Sequence, residues 1–369
     1  MGAIQCEGGH HGIIEDETML RVANVGTGEA YPCPPFEGSE KRIEIRFEPK
    51  QFGARGTSNA MSMRSISRSD LDALLVHAGC EIISSVSPLH TDAYLLSEST
   101  MFVEKSGIVL KTCGTTKLLA AVPRIIALAK SHCGLDAAYV KYSRASYLFP
   151  DAQPEIHRSW NEEVRLLKKY FSSEFGCSGT AHVMGDSITG LQWHLFTIAN
   201  ENADRERARA ELEPTVEICM TGIAKDVAAR FYQSGPTGFT DASLLSRTLG
   251  IRDLIPNESG SLRSMKIDEF IFEPCGYSMN SVNDDGSKAC MHVTPEDACS
   301  FVSHEVSWNE VADLDGIIRR TIEIFQPKHV SILVTSRTVS ALNKSLAWVS
   351  GLDASSDGHE SNGISLQQF

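Results

Sequence analysis

Ten cysteines are scattered through 369 residues, and no two of them form a CxxC pair. A zinc ribbon therefore lacks its ligand spacing, and a disulfide scaffold is not expected at this length. Reduced thiols in a cytoplasmic protein are the simplest reading. Basic charge is short too: 34 Lys and Arg stand against 47 Asp and Glu, a formal net charge of -13. That balance argues against a nucleic-acid partner, because binding a phosphate backbone needs the opposite sign. No apolar run reaches membrane-spanning length, so no membrane partner is expected. The N-terminal stretch has no basic start followed by an apolar core, and Cys6 stands where N-myristoylation requires Ser or Thr. GxGxxG, P-loop and GxSxG patterns are all missing, which weakens a nucleotide-phosphate reading and leaves a serine-hydrolase reading without its elbow. No metal site is expected, since His10 and His11 sit in a Gly-rich leader and read as solvent-exposed.

What remains is ordinary globular composition, 42% hydrophobic and 22% charged, in a chain long enough to bury a large core. Residues 1–34 are rich in Gly, Glu and Pro and read as a flexible leader, and 351–369 read as a flexible tail. No linker divides 35–350, which reads as one domain without a short repeat. Within it two periods alternate. "KRIEIRF" (41–47) sets Ile43, Ile45 and Phe47 against Arg42, Glu44 and Arg46, and "TVEICM" (215–220) and "KHVSILVTS" (328–336) are further strands. "DLDALLVHAGC" reads as a helix with Ser69 and Asp70 as candidate caps. "SWNEEVRLLKKYF" opens on a capping box, Ser159 with Glu162, and "DLDGIIRRTIEIF" is a third helix. Pro123 is expected to kink or restart the helix in "TTKLLAAVPRIIALAK". Clustered strands, single helices between them and a hairpin turn at Lys105–Gly107 favour an α+β fold of antiparallel sheets.

Chemistry concentrates in three stretches: "PFEGSEKRIEI" (35–45), "YLLSESTMFV…LKTCGTTKLL" (94–119) and "FEPCGYSMN…MHVTPED" (272–297). Taken singly, each has a bland reading. Glu98-Ser99 suits a turn or strand end, Cys113 a small buried hydrophobe, and His292 a satisfied sheet histidine. Glu37 and Glu40 suit a solvated edge, and Phe36 and Phe272 a core. A serine after a strained peptide bond can also attack the preceding carbonyl, an N-to-O shift that turns nucleophilic catalysis on the chain itself.

Together, and in this order, the stretches resemble eukaryotic S-adenosylmethionine decarboxylase proenzymes. "LSESTMFV" with "KTCGTT" resembles the family's self-cleavage signature, and "FEGSEKR" and "FEPCGYSMN…HVTPE" resemble its other hallmarks. "GIRDLIP" (250–256) and "TVEICMTG" (215–222) match as well, so the resemblance runs from about Pro35 to about Val334. It implies a four-layer α/β/β/α sandwich with two antiparallel sheets and helices on the outer faces. It also implies cleavage between Glu98 and Ser99 into a 1–98 β chain and a 99–369 α chain, through an ester that eliminates to leave a pyruvoyl group derived from Ser99. Ser278 would steady the tetrahedral intermediate and His292 would take the Cα proton. The pyruvoyl carbonyl would form a Schiff base with S-adenosylmethionine and act as electron sink, giving the aminopropyl donor for spermidine and spermine. Cys113 would reprotonate the carbon. Phe36 and Phe272 would sandwich the adenine, Glu296 would hold the ribose, and Glu37, Glu40 and Leu96 would stand near the reaction.

By the same resemblance, Glu44, Lys111, Thr215, Glu217 and Glu305 form the buried charged network where putrescine binds in animal enzymes. Arg42 and Lys141 stand where plant-type members carry basic residues, so built-in cations are expected to replace putrescine. Val334 falls where plant-type members have a histidine, and Thr100 where Ser is commoner. A monomer is favoured over a homodimer. The alternative is a catalytically dead paralogue that regulates an active partner, but such a chain should have lost one of Ser99, Cys113, Ser278 or His292.

Overall fold

Strand alternation sorts the side chains into layers. In β1 (Lys41–Pro49) the odd positions Ile43, Ile45 and Phe47 join an apolar core, while Arg42, Glu44 and Arg46 are buried on the opposite face. A computed structural model describes residues 36–49, 61–185, 192–200, 214–234, 236–255, 265–307, 314–335 and the backbone of 363–368. The expected leader, 1–34, lies outside the described residues.

The first sheet adds β2 (Ile82–Val86), β3 (Thr91–Leu96), β4 (Ser99–Glu104), β5 (Gly107–Thr112), β6 (Leu135–Ala145), β7 (Thr180–Met184) and β8 (Trp193–Ala199). They run antiparallel in the order β2-β3-β4-β5-β1-β6-β8-β7. The second sheet comprises β9 (Thr215–Thr221), β10 (Lys266–Ile271), β11 (Tyr277–Val282), β12 (Lys288–Thr294), β13 (Phe301–Ser307), β14 (His329–Thr335) and β15 (Gly363–Gln368). Its order is β10-β11-β12-β13-β9-β14-β15, antiparallel except for the parallel β14/β15 pair. The expected tail therefore contributes an edge strand at its end.

Helices α1 (Arg68–Ala78), α2 (Leu118–Leu128) and α3 (Trp160–Phe175) pack on the first sheet. Helices α4 (Lys225–Ala228), α5 (Ala242–Thr248) and α6 (Leu314–Phe325) cover the second. Ala93, Phe102 and Val109 of one sheet meet Val282 and Cys290 of the other in a small shared core. The order of layers is thus helix, sheet, sheet, helix, which is the expected sandwich.

Local chemistry sets the helix ends. Ser159 caps α3 by accepting from the Glu162 N–H, as expected. The cap of α1 is Ser67, which accepts from the Asp70 N–H, two residues before the expected Ser69. Helix α2 passes through Pro123 without restarting, because Leu118, Leu119, Val122 and Ile125 are all fully buried along it. Four such side chains at roughly 1.5–3 kcal/mol each outweigh a proline penalty of about 3 kcal/mol.

Candidate active site

Ser99 breaks the alternation. Its neighbours Met101 and Val103 pack in the helix-facing core, so an ordinary Ser99 would face the same way. Instead its φ is 133°, a region that non-glycine residues rarely adopt, and its hydroxyl donates to the Glu40 carboxylate between the sheets. Strain is therefore stored next to the Glu98-Ser99 peptide bond. The hairpin pairing of Leu96 with Ser99 holds it in place.

The Glu98 carbonyl on the other side of that bond accepts the Cys113 N–H at 2.9 Å and the Cys113 thiol at 3.1 Å. Two donors on one carbonyl make an oxyanion-hole-like arrangement. Cys113 Sγ also lies 3.4 Å from His292 Nε2, and His292 Nδ1 lies 2.6 Å from Ser278 Oγ. Adjacent strands bring these groups together, since Ser278 and His292 are direct partners across β11 and β12. Burial pushes the Cys113 thiol pKa well up, so it stays protonated, and burial lowers that of His292, so it stays neutral. Burial alone would raise the Glu40 carboxyl, but the Lys111 charge at 2.9 Å, with other partners, outweighs it and holds the group ionised.

Glu37 takes a different position from Glu40. Its two oxygens accept the Ser39 and Phe149 amides at 3.0 and 2.8 Å, and its backbone carbonyl accepts the Gly114 N–H. Glu37 therefore braces the turn that carries Cys113. Leu96 is fully buried in the helix-facing core, so its side chain is turned from the site and only its backbone adjoins it. Phe36 and Glu98 line an open cleft of ≈ 410 Å³ together with Thr116 and the end of α1. Phe272 meets the His292 ring edge-on at 6.2 Å. Glu296 Oε2 is buried without a hydrogen-bond partner, and burial raises the carboxyl pKa. Such an oxygen is suited to a ligand hydroxyl.

Between the sheets runs a chain of ion pairs. Arg42 pairs with Glu44 at 3.0 Å and with Glu305 at 2.9 Å, Lys111 with Glu40 and Glu305, and Lys141 with Glu217 at 3.2 Å. Thr215 Oγ1 is 3.5 Å from Lys141. Sequence reasoning missed Arg46, Glu104 and Lys288, which extend the chain: Arg46 and Lys288 both grip Glu104. Charged residues at strand ends read as solvated turns, so Glu104 and Lys288 carried no visible signal. Val334 packs in the helix-facing core, whereas Thr335 turns inward and accepts from Lys141 at 3.1 Å. Val334 therefore leaves no gap in the network.

The architecture places the molecule among α+β sandwich proteins, here with a charged layer buried between two sheets. More narrowly, the chain belongs to the adenosylmethionine decarboxylase family, whose pattern it matches over residues 34–368. It is 37% identical over 338 residues to the S-adenosylmethionine decarboxylase proenzyme of Hordeum chilense, covering 90% of this chain and 80% of that protein. It is 39% identical over 304 residues to the proenzyme of Oryza sativa subsp. japonica, covering 81% and 72%. It is likewise 39% identical over 304 residues to proenzyme 3 of Brassica juncea, covering 82% and 78%. Among the described residues, no helix is long and apolar enough to cross a membrane, and no group of three or more His, Cys, Asp or Glu is placed to hold a metal.

Proposed function

We propose that the chain cuts itself between Glu98 and Ser99 and, so matured, decarboxylates S-adenosylmethionine to S-adenosylmethioninamine, the aminopropyl donor for spermidine and spermine. The observation that carries this reading is the strained Ser99, its hydroxyl on a carboxylate and the preceding carbonyl already held by two donors. Ser99 Oγ attacks the Glu98 carbonyl carbon as Glu40 takes the hydroxyl proton. The C–N bond then breaks with a proton to nitrogen, leaving an ester and a free amine at Ser99. Cys113 stabilises the oxyanion, and Ser278 acts through His292, whose ring it holds at 2.6 Å. Neutral His292 takes the Ser99 Cα proton, the Glu98 carboxylate leaves, and water hydrolyses the dehydroalanine with loss of ammonia. The pyruvoyl group so left at residue 99 supplies the electron sink for loss of CO2.

The surrounding residues fit the substrate. Phe36 and Phe272 offer aromatic faces to an adenine and to a sulfonium, a contact of roughly 0.5–2 kcal/mol, and Glu296 offers its unpaired oxygen to the ribose. The protonated Cys113 thiol can return the proton to carbon. We further propose that the mature enzyme is a cytoplasmic monomer, fully active without putrescine. The ion-pair chain sets five cations, Arg42, Arg46, Lys111, Lys141 and Lys288, against five carboxylates, Glu40, Glu44, Glu104, Glu217 and Glu305. Only ≈ 10 Å³ of free space remains beside Arg42, Lys111 and Glu217, room for about one water and not for a diamine.

On a denaturing gel the purified protein should run as two pieces, and mass spectrometry should find the 99–369 fragment with a keto cap in place of an amine. Ser99→Ala should give one uncleaved band and no CO2 release. An intact wild-type chain would overturn the proposal.

A further inference from the structure

We propose that Lys41 is a positioning residue for self-cleavage: by pinning the Gly114 carbonyl from the helix-facing side of the first sheet, it keeps the Cys113 N–H and thiol on the Glu98 carbonyl. The inference rests on the self-cleavage reading and extends it to a side chain that touches none of the reacting atoms.

Lys41 occupies an outward position of β1, on the side of Ile43 and Ile45, where an apolar residue belongs. It is 0% exposed. Its ammonium donates to the Gly114 carbonyl at 2.9 Å and to Gln153 Oε1 at 3.1 Å, and lies 5.4 Å from the centre of the Tyr147 ring. Among the described residues, no carboxylate lies within ion-pair distance of it. Burying an ammonium against a peptide carbonyl is expensive, and a methionine would fill the space without that penalty. The charge is therefore placed for its effect on the carbonyl.

Gly114 needs such a hold. With φ +61° and no side chain, its peptide is the freest point in the turn that presents Cys113. Its N–H is fixed by the Glu37 carbonyl at 2.8 Å, and its carbonyl by Lys41. Five residues on, His157 Nε2 accepts the Leu119 N–H at 3.3 Å, and His157 Nδ1 lies 2.8 Å from Glu163. Glu163, itself 0% exposed, also accepts from Arg144 and Tyr142, each at 2.7 Å. The segment is thus clamped near both ends from behind, while Cys113 works at the front.

Lys41 faces Cys113, Glu37, Glu98, Glu163, Arg144, His157 and Tyr147. Burial lowers its pKa to about 8, so it loses its charge in an accessible range, whereas burial holds Cys113 well above its usual value. The sign separates function from stability. Between about 8 and 10.5 the unfolded lysine holds the proton more tightly, so this group makes the fold more stable as pH rises. The clamp weakens over the same range.

The test follows cleavage of freshly synthesised full-length chain on denaturing gels across pH, with thermal unfolding measured in parallel on the uncleavable Ser99→Ala background. Wild type should slow severalfold as pH rises through about 8. Lys41→Met should cleave about 10–100-fold more slowly at neutral pH, the effect of losing one charge-assisted hydrogen bond, and should lack the alkaline fall. If Lys41→Met does not fold, Gln153→Leu, which leaves the charge in place but removes one acceptor from it, should slow cleavage severalfold and move the alkaline fall to lower pH; an unmoved fall at the wild-type rate would overturn the proposal. Cleavage that is flat with pH in wild type, or Lys41→Met cleaving at the wild-type rate, would overturn the proposal. A wild-type chain that never cleaves would instead overturn the self-cleavage reading beneath it.

Discussion

At the residue level the site depends on one backbone angle. Had Ser99 kept ordinary strand geometry, its hydroxyl would lie under the helices with Met101, out of reach of Glu40. Glu40→Gln should keep the fold and slow cleavage by about 10²–10⁴-fold, the usual worth of a placed general base; gel time courses measure it, and an unchanged rate would show that another group takes the proton. The motifs made Cys113, Ser278 and His292 legible as residues that meet beside Glu98-Ser99, because each offers a hydrogen-bonding atom the sequence names outright. Leu96 and Glu37 were less legible. A motif says that a residue adjoins the chemistry, but not whether it does so through its backbone, as with Leu96, or by bracing a turn, as with Glu37. The two amide partners of Glu37 imply that Glu37→Gln disturbs the Cys113 turn and slows cleavage before it affects substrate binding, separable by comparing cleavage rate with KM.

Elements were read more easily than their edges. Period-two patterns located β1 and β9, since one face of each strand packs against helices and the other carries the polar layer, while β14 was legible as a more evenly apolar run, buried over Val330–Val334. Of the two outcomes expected at Pro123, a kink or a restart, the restart does not occur; the local penalty was visible in the sequence and the compensating burial was not. Sequence also hid why "FEGSE" holds a glycine. A Cβ on Gly38 would stand 2.3 Å from the Phe301 Cβ on β13, so the segment leading into β1 lies hard against the second sheet there. Gly38→Ala should therefore push the segment before β1 away from Phe301, cost about 1–3 kcal/mol and slow cleavage, with the midpoint of thermal unfolding as the measure.

Across the whole molecule, charge between the sheets acts as both adhesive and switch. Arg42→Leu leaves carboxylates in excess, and breaking such a buried pair costs about 3–5 kcal/mol. That variant should lose activity and recover part of it on adding putrescine, while wild type should not respond; assays with and without the diamine decide it. Acid should open the interface. Burial alone would raise the Glu104 and Glu305 carboxyls, but neighbouring cations hold both at about 2 against 4.5 unfolded. Their contribution is present above about 4.5 and is lost as pH falls towards 2, so the unfolding temperature should drop across that window. Glu40 and Lys111 belong to this chain, and Glu40 also accepts from Ser99, so on the proposed self-cleavage the partners that assemble the halves would also arm the Glu98-Ser99 bond. On the self-cleavage proposed above, maturation would double as quality control. A polypeptide whose second half has not docked would have no His292 imidazole beside Cys113 to complete the reaction, and only correctly assembled molecules would graduate to active enzyme.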